Sequence, residues 1–197
     1  MVSVRSRLWC SWAPPAFCLA LGITLSPSAG AISVSELEIT EREGSYRTLV
    51  EASLDAPAAD VWRALTDYSN YVRLSPSIHR VQRMGAGEDG AEQVKTWAEA
   101  CVLGFCKQIR QVQELRQLSF GELRAQILPG EDIASGRAAW SLSGEGPLSR
   151  LRFEAEMTPA FWVPPVIGSW AIRRALHQEL ITSLHNLERL ALEPGHR

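Results

Sequence analysis

The chain has 197 residues, 46% of them hydrophobic and 21% charged, which supplies enough apolar material for the core of one domain. Its formal net charge of −2 excludes the strongly basic footprint of a nucleic-acid binder.

The first 31 residues read as an address. Arg5 and Arg7 form a short basic region, Ala16 to Leu25 a compact apolar run, and Ala29-Gly30-Ala31 a small-residue cleavage site. This pattern predicts a secretory signal peptide over 1–31, cut after Ala31, and a periplasmic or secreted protein. The other reading is an uncleaved membrane anchor, although the apolar run falls short of the about 20 residues that a span needs. Cys10 and Cys18 follow Trp9 and Phe17, not the small residue that precedes a lipidated cysteine. Cleavage would remove two of the 20 basic residues and none of the 22 acidic ones, for a net charge of −4. Cys101 and Cys106 would remain, an even number in an oxidising compartment.

Residues 32–44 are polar and acidic and read as a flexible lead-in to a domain over 45–193. From Tyr46 to Leu54 the chain alternates: Tyr46, Thr48, Val50, Ala52 and Leu54 share one face, as in a half-buried strand. Asp55-Ala56-Pro57 ends it. Ala58 to Tyr68 reads as a helix, and Tyr68 to Pro76 as a second short helix and a loop. Six further strands follow near 78–84, 93–102, 105–115, 120–128, 133–142 and 151–157, joined by short turn-rich links. Short links make antiparallel neighbours. The run from Val166 to Leu192 then carries Ile172, Leu176, Leu180, Leu184, Leu187 and Ala191 on one helical stripe. Pro164 and Pro165 precede it, and Pro194 and Gly195 stop it. At about 1.5 Å per residue the helix is roughly 40 Å long and needs a large apolar partner. The order of elements gives an α+β domain in which one bent antiparallel sheet curls around the last helix.

The inward strand positions mix small and large side chains. Ala98, Ala100, Gly121, Ala125, Gly136 and Ala138 leave room against the helix. That room is either packed by the helix or left as a ligand cavity. Candidate lining residues on the strands are Ala98, Ile109, Leu123, Trp140 and Phe153. On the long helix they are Leu176, Leu180 and Leu184. Tyr71 and Leu74 cover one end, and Trp162 and Trp170 flank the helix entry. The same aromatics serve equally as core in the alternative reading.

Cys101 and Cys106 bracket a hairpin on the polar face, a position for a structural disulfide closing a very small loop. Chemistry beyond that is sparse. There is no phosphate loop, nucleophile elbow or Cys-x-x-Cys pair, and no catalytic residue, cofactor or metal set is assigned. His177 and His185 lie about 12 Å apart along the helix, too far to share a metal. Inward Thr48, Thr96 and Gln111 are weak candidates for acid–base work.

Three segments carry a resemblance. Leu54 to Tyr68 (LDAPAADVWRALTDY) with Tyr71 and Pro76, Gly136 to Leu142, and Pro159 to Pro165 resemble the polyketide cyclase/dehydrase branch of the START (SRPBCC, birch-pollen-allergen) superfamily. The nearest branch is similar to the coenzyme Q-binding and ribosome-association-toxin type. The match spans roughly Tyr46 to Leu192. It implies a helix-grip fold: seven antiparallel strands around a C-terminal helix, with two short helices after the first strand. It also implies a hydrophobic ligand such as a lipid, quinone or polyketide-like molecule, bound between sheet and helix. Carriage without turnover, a cyclase/dehydratase reaction and a protein-interaction role are all compatible with it, as is a transient membrane contact. No catalytic position carries over. The leader and the hairpin cysteines depart from the pattern and point away from a cytoplasmic or mitochondrial role.

Overall fold

A computed structural model describes residues 32–87, 89–162 and 168–193. The expected signal peptide, the Pro164-Pro165 helix entry and the Pro194-Gly195 stop lie outside these residues.

Eight strands form one antiparallel sheet: β1 (Ser33–Arg42), β2 (Ser45–Leu54), β3 (Ile78–Ala86), β4 (Glu92–Val102), β5 (Phe105–Ser119), β6 (Glu122–Ile127), β7 (Ile133–Ser143) and β8 (Ser149–Pro159). Their spatial order is β1-β2-β8-β7-β6-β5-β4-β3. Two short helices, α1 (Ala58–Thr66) and α2 (Tyr71–Leu74), follow β2, with a 3₁₀ turn at Tyr68–Asn70 between them. The long helix α3 (Gly168–Leu192) closes the fold. This is the α+β helix-grip expected, with one correction. Residues 32–44 are no loose lead-in, because Ser33–Arg42 adds an eighth strand on β2. A two-residue turn makes the hairpin: Glu43 and Gly44 have φ of 53° and 79°, the left-handed geometry that matches strand twist.

The core gathers at one end of the grip. Leu54, Ala52 and Leu151 from the sheet, Val61 and Leu65 from α1, and Leu184, Leu187, Leu190 and Ala191 from α3 belong to one buried cluster. Each fully buried leucine is worth about 1.5–3 kcal/mol over an exposed one. The carboxylate of Glu188, itself buried, accepts the Asp55 N–H at 2.8 Å and so ties α3 to the turn entering α1.

Burial along α3 is uneven. From Leu184 to Ala191 the apolar stripe is buried, whereas Ile172, Leu176 and Leu180 are half-buried and Trp170 is exposed. The C-terminal half of the helix is therefore core, and the N-terminal half is only partly covered.

Candidate functional site: an open cleft under the N-terminal half of the last helix

Strand register arranges the inner face in rows that cross the sheet. One row is bulky: Leu37, Val50, Phe153, Trp140, Leu123 and Gln117 lie opposite one another in turn. The next is small: Ile39, Thr48, Ala155, Ala138 and Ala125. Three alanines abreast make a trough, because nothing larger than a methyl rises from β8, β7 or β6 there. Trp140 and Phe153 form its wall, with ring centroids 5.1 Å apart. Ala138, Ala155, Thr48, Trp140 and Phe153 are all half-buried, as are Leu176 and Leu180 on the helix. Apolar groups that a closed core would seal remain partly open.

The structure sorts the sequence candidates. Trp140, Phe153 and Leu180 pack at the border of the buried cluster, and Leu123 and Leu184 lie inside it. Leu176 belongs to the partly covered stretch of α3. Ala98 and Ile109 face each other across β4 and β5, half-buried, toward the hairpin end. Tyr71 is core: its hydroxyl donates to the Leu65 carbonyl at 3.3 Å, its ring packs edge-on to Tyr68, and burial pushes its ionisation far up. Leu74 packs against the same cluster. Trp162 and Trp170 are 75% and 57% exposed, so neither is buried as a cleft wall would be.

Two glycines expected to leave room do not. A Cβ on Gly136 would meet Ile127 Cδ1 at 2.6 Å, so Ile127 already fills that space. Gly121 sits in the β5–β6 turn with φ of 85°, its α-carbon against the Leu142 carbonyl. Ala100 is exposed near the β4–β5 hairpin. The alanine trough, with Ala155 added, is what remains.

The ends of the grip are pinned by polar contacts. Glu179 accepts hydrogen bonds from the hydroxyls of Ser75 and Ser77 and from the Ser77 N–H. Asn186 Nδ2 donates to the Leu74 carbonyl at 3.1 Å. The α2–β3 loop is thereby held to α3. On the far side, buried Asp132 accepts from Lys107 Nζ at 2.8 Å and from the Arg110 N–H at 2.9 Å, while its carbonyl takes the Ala160 N–H. The hydrogen bonds from Lys107 and Arg110 hold its carboxyl below the usual range.

Polar groups on the inner face are few. Thr96 is fully buried and its hydroxyl has no hydrogen-bond partner among the described residues, and Gln111 and Gln113 lie beside it on β5. Sequence reasoning named Thr96 and Gln111 but had no signal for the unpaired hydroxyl, which depends on what surrounds it. Cys101 and Cys106 pair directly across β4 and β5 and form an exposed disulfide, with Cα atoms 4.1 Å apart. Glu99 lies within 4.8 Å of both sulfurs, but the disulfide uses both, so this cluster holds no metal ligand set.

Two grooves open on the molecule. One of about 920 Å³ is lined by charged side chains of the outer sheet face, including Arg47, Arg137, Arg152, Glu154 and Glu156, and by Thr48, Ala125, Ala138 and Ala155 of the small row. These charges answer one another: Glu156 accepts from Arg137 and Arg47, and Arg152 pairs with Glu51 and Glu154. A cross-strand ion-pair lattice accounts for them. The other groove, about 880 Å³, lies between β1 and α3.

Residues 47–191 match the family model described as polyketide cyclase/dehydrase and lipid transport. Similar solved structures include a START superfamily protein from Mycobacterium smegmatis, at 14% identity and TM-score 0.58, covering 73% of this chain and 94% of that one. The Zhui aromatase/cyclase from Streptomyces is similar at 14% identity and TM-score 0.59, covering 75% and 93%. A STAR-related lipid transfer protein from Xanthomonas axonopodis is similar at 12% identity and TM-score 0.51, covering 77% and 98%. At these identities the likeness is one of fold. No curated protein sequence matches the chain.

Proposed function

Since the chain belongs to the polyketide cyclase/dehydrase and lipid transport family, we propose that it binds and carries a hydrophobic small molecule or lipid between its sheet and the N-terminal half of α3. One observation carries this reading: Ala155 and Ala138, the Trp140–Phe153 wall, and Leu176 and Leu180 of α3 are apolar yet only half-buried, while the other end of the same helix is sealed. Leaving that much apolar surface open costs about 25 cal/mol per Å², and an apolar guest recovers it.

Carriage without turnover is the simpler form of the reading. Among the described residues, the buried carboxylates Asp132 and Glu188 are both engaged by hydrogen bonds that serve the fold. The cyclase/dehydratase alternative rests on Thr96, whose unpaired hydroxyl is a buried polar group able to orient a substrate. We place the protein in the periplasm or outside the cell, on the strength of the leader pattern and the exposed disulfide.

Native mass spectrometry of protein purified from its own host is the test. A co-purifying apolar molecule, absent from a Trp140→Ala preparation, supports carriage. Protein that arrives empty and binds no apolar fluorophore rules it out.

A further inference from the structure

The groove between β1 and α3 is built by a strand, Ser33–Arg42, that lies outside the family match of 47–191. Its floor is aliphatic: Leu37 and Ile39 project from β1, and Ile181 from α3. Two adjacent i, i+4 rows of the helix supply the rest, Arg173–His177–Ile181 and Arg174–Gln178–Thr182. Among the described residues no acidic side chain lines it. Among the described residues neither Arg173 nor Arg174 forms a salt bridge, in contrast to the paired arginines of the outer face.

The nearby acids are occupied or turned away. Glu41 continues the Leu37–Ile39 face but accepts the Gly44 N–H in the β1–β2 turn. Glu36 and Glu38 are exposed, and Glu38 lies on the outer groove. Glu179 is held by Ser75 and Ser77. The ionisation of buried Tyr46 is raised first by burial and second by the Glu41 charge, with the Arg173 charge opposing them. A protein of net negative charge thus presents two guanidinium groups in an open groove beside three aliphatic side chains, Leu37, Ile39 and Ile181.

We propose that this groove binds a single-chain anionic amphiphile, such as a fatty acid, with its acyl chain along Leu37, Ile39 and Ile181 and its acidic group on Arg173 and Arg174. The inference rests on the carrier reading above for the kind of guest and adds a second site, separate from the Trp140–Phe153 cleft. Aliphatic floor and cationic rim match the two ends of such a molecule. Guanidinium groups favour carboxylate or phosphate through paired N–H donors. A volume of about 880 Å³ lies within the roughly 300–1,000 Å³ of small-molecule sites.

The test uses a fluorescent polyene fatty acid, cis-parinaric acid, and its methyl ester, titrated into the purified protein. The acid should bind roughly tenfold more tightly than the ester. Arg173→Gln with Arg174→Gln should bring the acid down to the level of the ester, with the thermal midpoint unchanged, since both side chains are exposed. Ile39→Glu should weaken the acid more than the ester. Equal affinities, or a difference that survives the double substitution, overturn this assignment and leave the carrier reading intact. Failure of both probes overturns both. Phosphatidylglycerol vesicles are the third arm: arginine-dependent binding to vesicles, without discrimination between acid and ester, makes the surface a membrane contact and also overturns the proposal.

Discussion

Trp140 and Phe153 sit directly opposite each other on β7 and β8, their rings 5.1 Å apart and tilted by 38°, with Leu123 opposite Trp140 on its other side. Leu123 is fully buried and Trp140 is half-buried, so one inner row passes from sealed core to open cleft. Trp140→Ala should therefore cost less than the about 3–5 kcal/mol of a filled aromatic site. It should change apolar-probe affinity several-fold. Leu123→Ala, one strand away, should cost about 2–5 kcal/mol. Urea midpoints and a probe titration on the two variants check this. A full core-sized loss at Trp140 without altered binding removes the cleft from consideration.

Cys101→Ser with Cys106→Ser should lower stability by less than the roughly 3 kcal/mol of a 15-residue loop, because the closed loop is far smaller. Probe binding should not change, since both residues are exposed on the hairpin. Thiol counting under denaturing, non-reducing conditions should find no reactive thiol from this pair. Two would mean the bond does not form in the native compartment.

Most of the sheet was legible because its strands alternate strictly. β1 was not, and the reason is local. A register shift between Val34 and Glu36 breaks the period, so Val34, Leu37 and Ile39 never read as one face amid three glutamates. The cleft was legible in part. Trp140, Phe153, Ala138 and the leucine stripe follow from alternation and helical spacing. Gly121 and Gly136 misled because a small residue leaves room only if no neighbour fills it, and Leu142 and Ile127 do. Trp162 and Trp170, read as flanking the helix entry, are exposed, a degree of burial that spacing alone does not carry.

Thr96→Val removes a buried hydroxyl that has no partner and keeps the side-chain shape. The fold should gain up to about 1 kcal/mol, the reverse of the usual penalty for losing a bonded hydroxyl. Chemical denaturation of the two proteins measures it. A clear loss of stability would show that the hydroxyl is bonded in solution.

Asp132 supplies a pH signature. Its carboxyl is depressed by Lys107 and Arg110, so its stabilising contribution is complete above the ordinary carboxylate pKa of about 4 and fades as pH falls through the lower folded value. Asp132→Asn should cost about 1–2 kcal/mol at neutral pH through the weakened charge-assisted bonds. The gap between the two proteins should close below about pH 4, as the native carboxyl also loses its charge. Urea titrations at neutral and acidic pH test both halves; a gap that is constant across the range would mean that Asp132 acts through shape alone.

Glu179 separates the cleft from the rest of the fold. It is the one α3 carboxylate that reaches across to the α2–β3 loop, where Ser75 and Ser77 converge on it. Asn186 and the Arg73–Glu193 pair hold α2 itself, at Leu74 and Arg73, further toward the C-terminus. Glu179→Ala should thus loosen the loop at the open end while the buried end stays shut. Global stability should fall by only about 1–2 kcal/mol, as expected for side-chain hydrogen bonds that are part-buried. Amide exchange should quicken at Ser77, whose N–H donates to this carboxylate, and not at Leu187 or Leu190. If the loop gates the cleft, release of an apolar probe should also accelerate, with a smaller change in its association rate. Exchange measurements and stopped-flow release on the same variant decide between a gate and a simple strut. Faster exchange with unchanged release would leave the Ser75–Ser77 contact as a strut of the fold with no part in ligand entry.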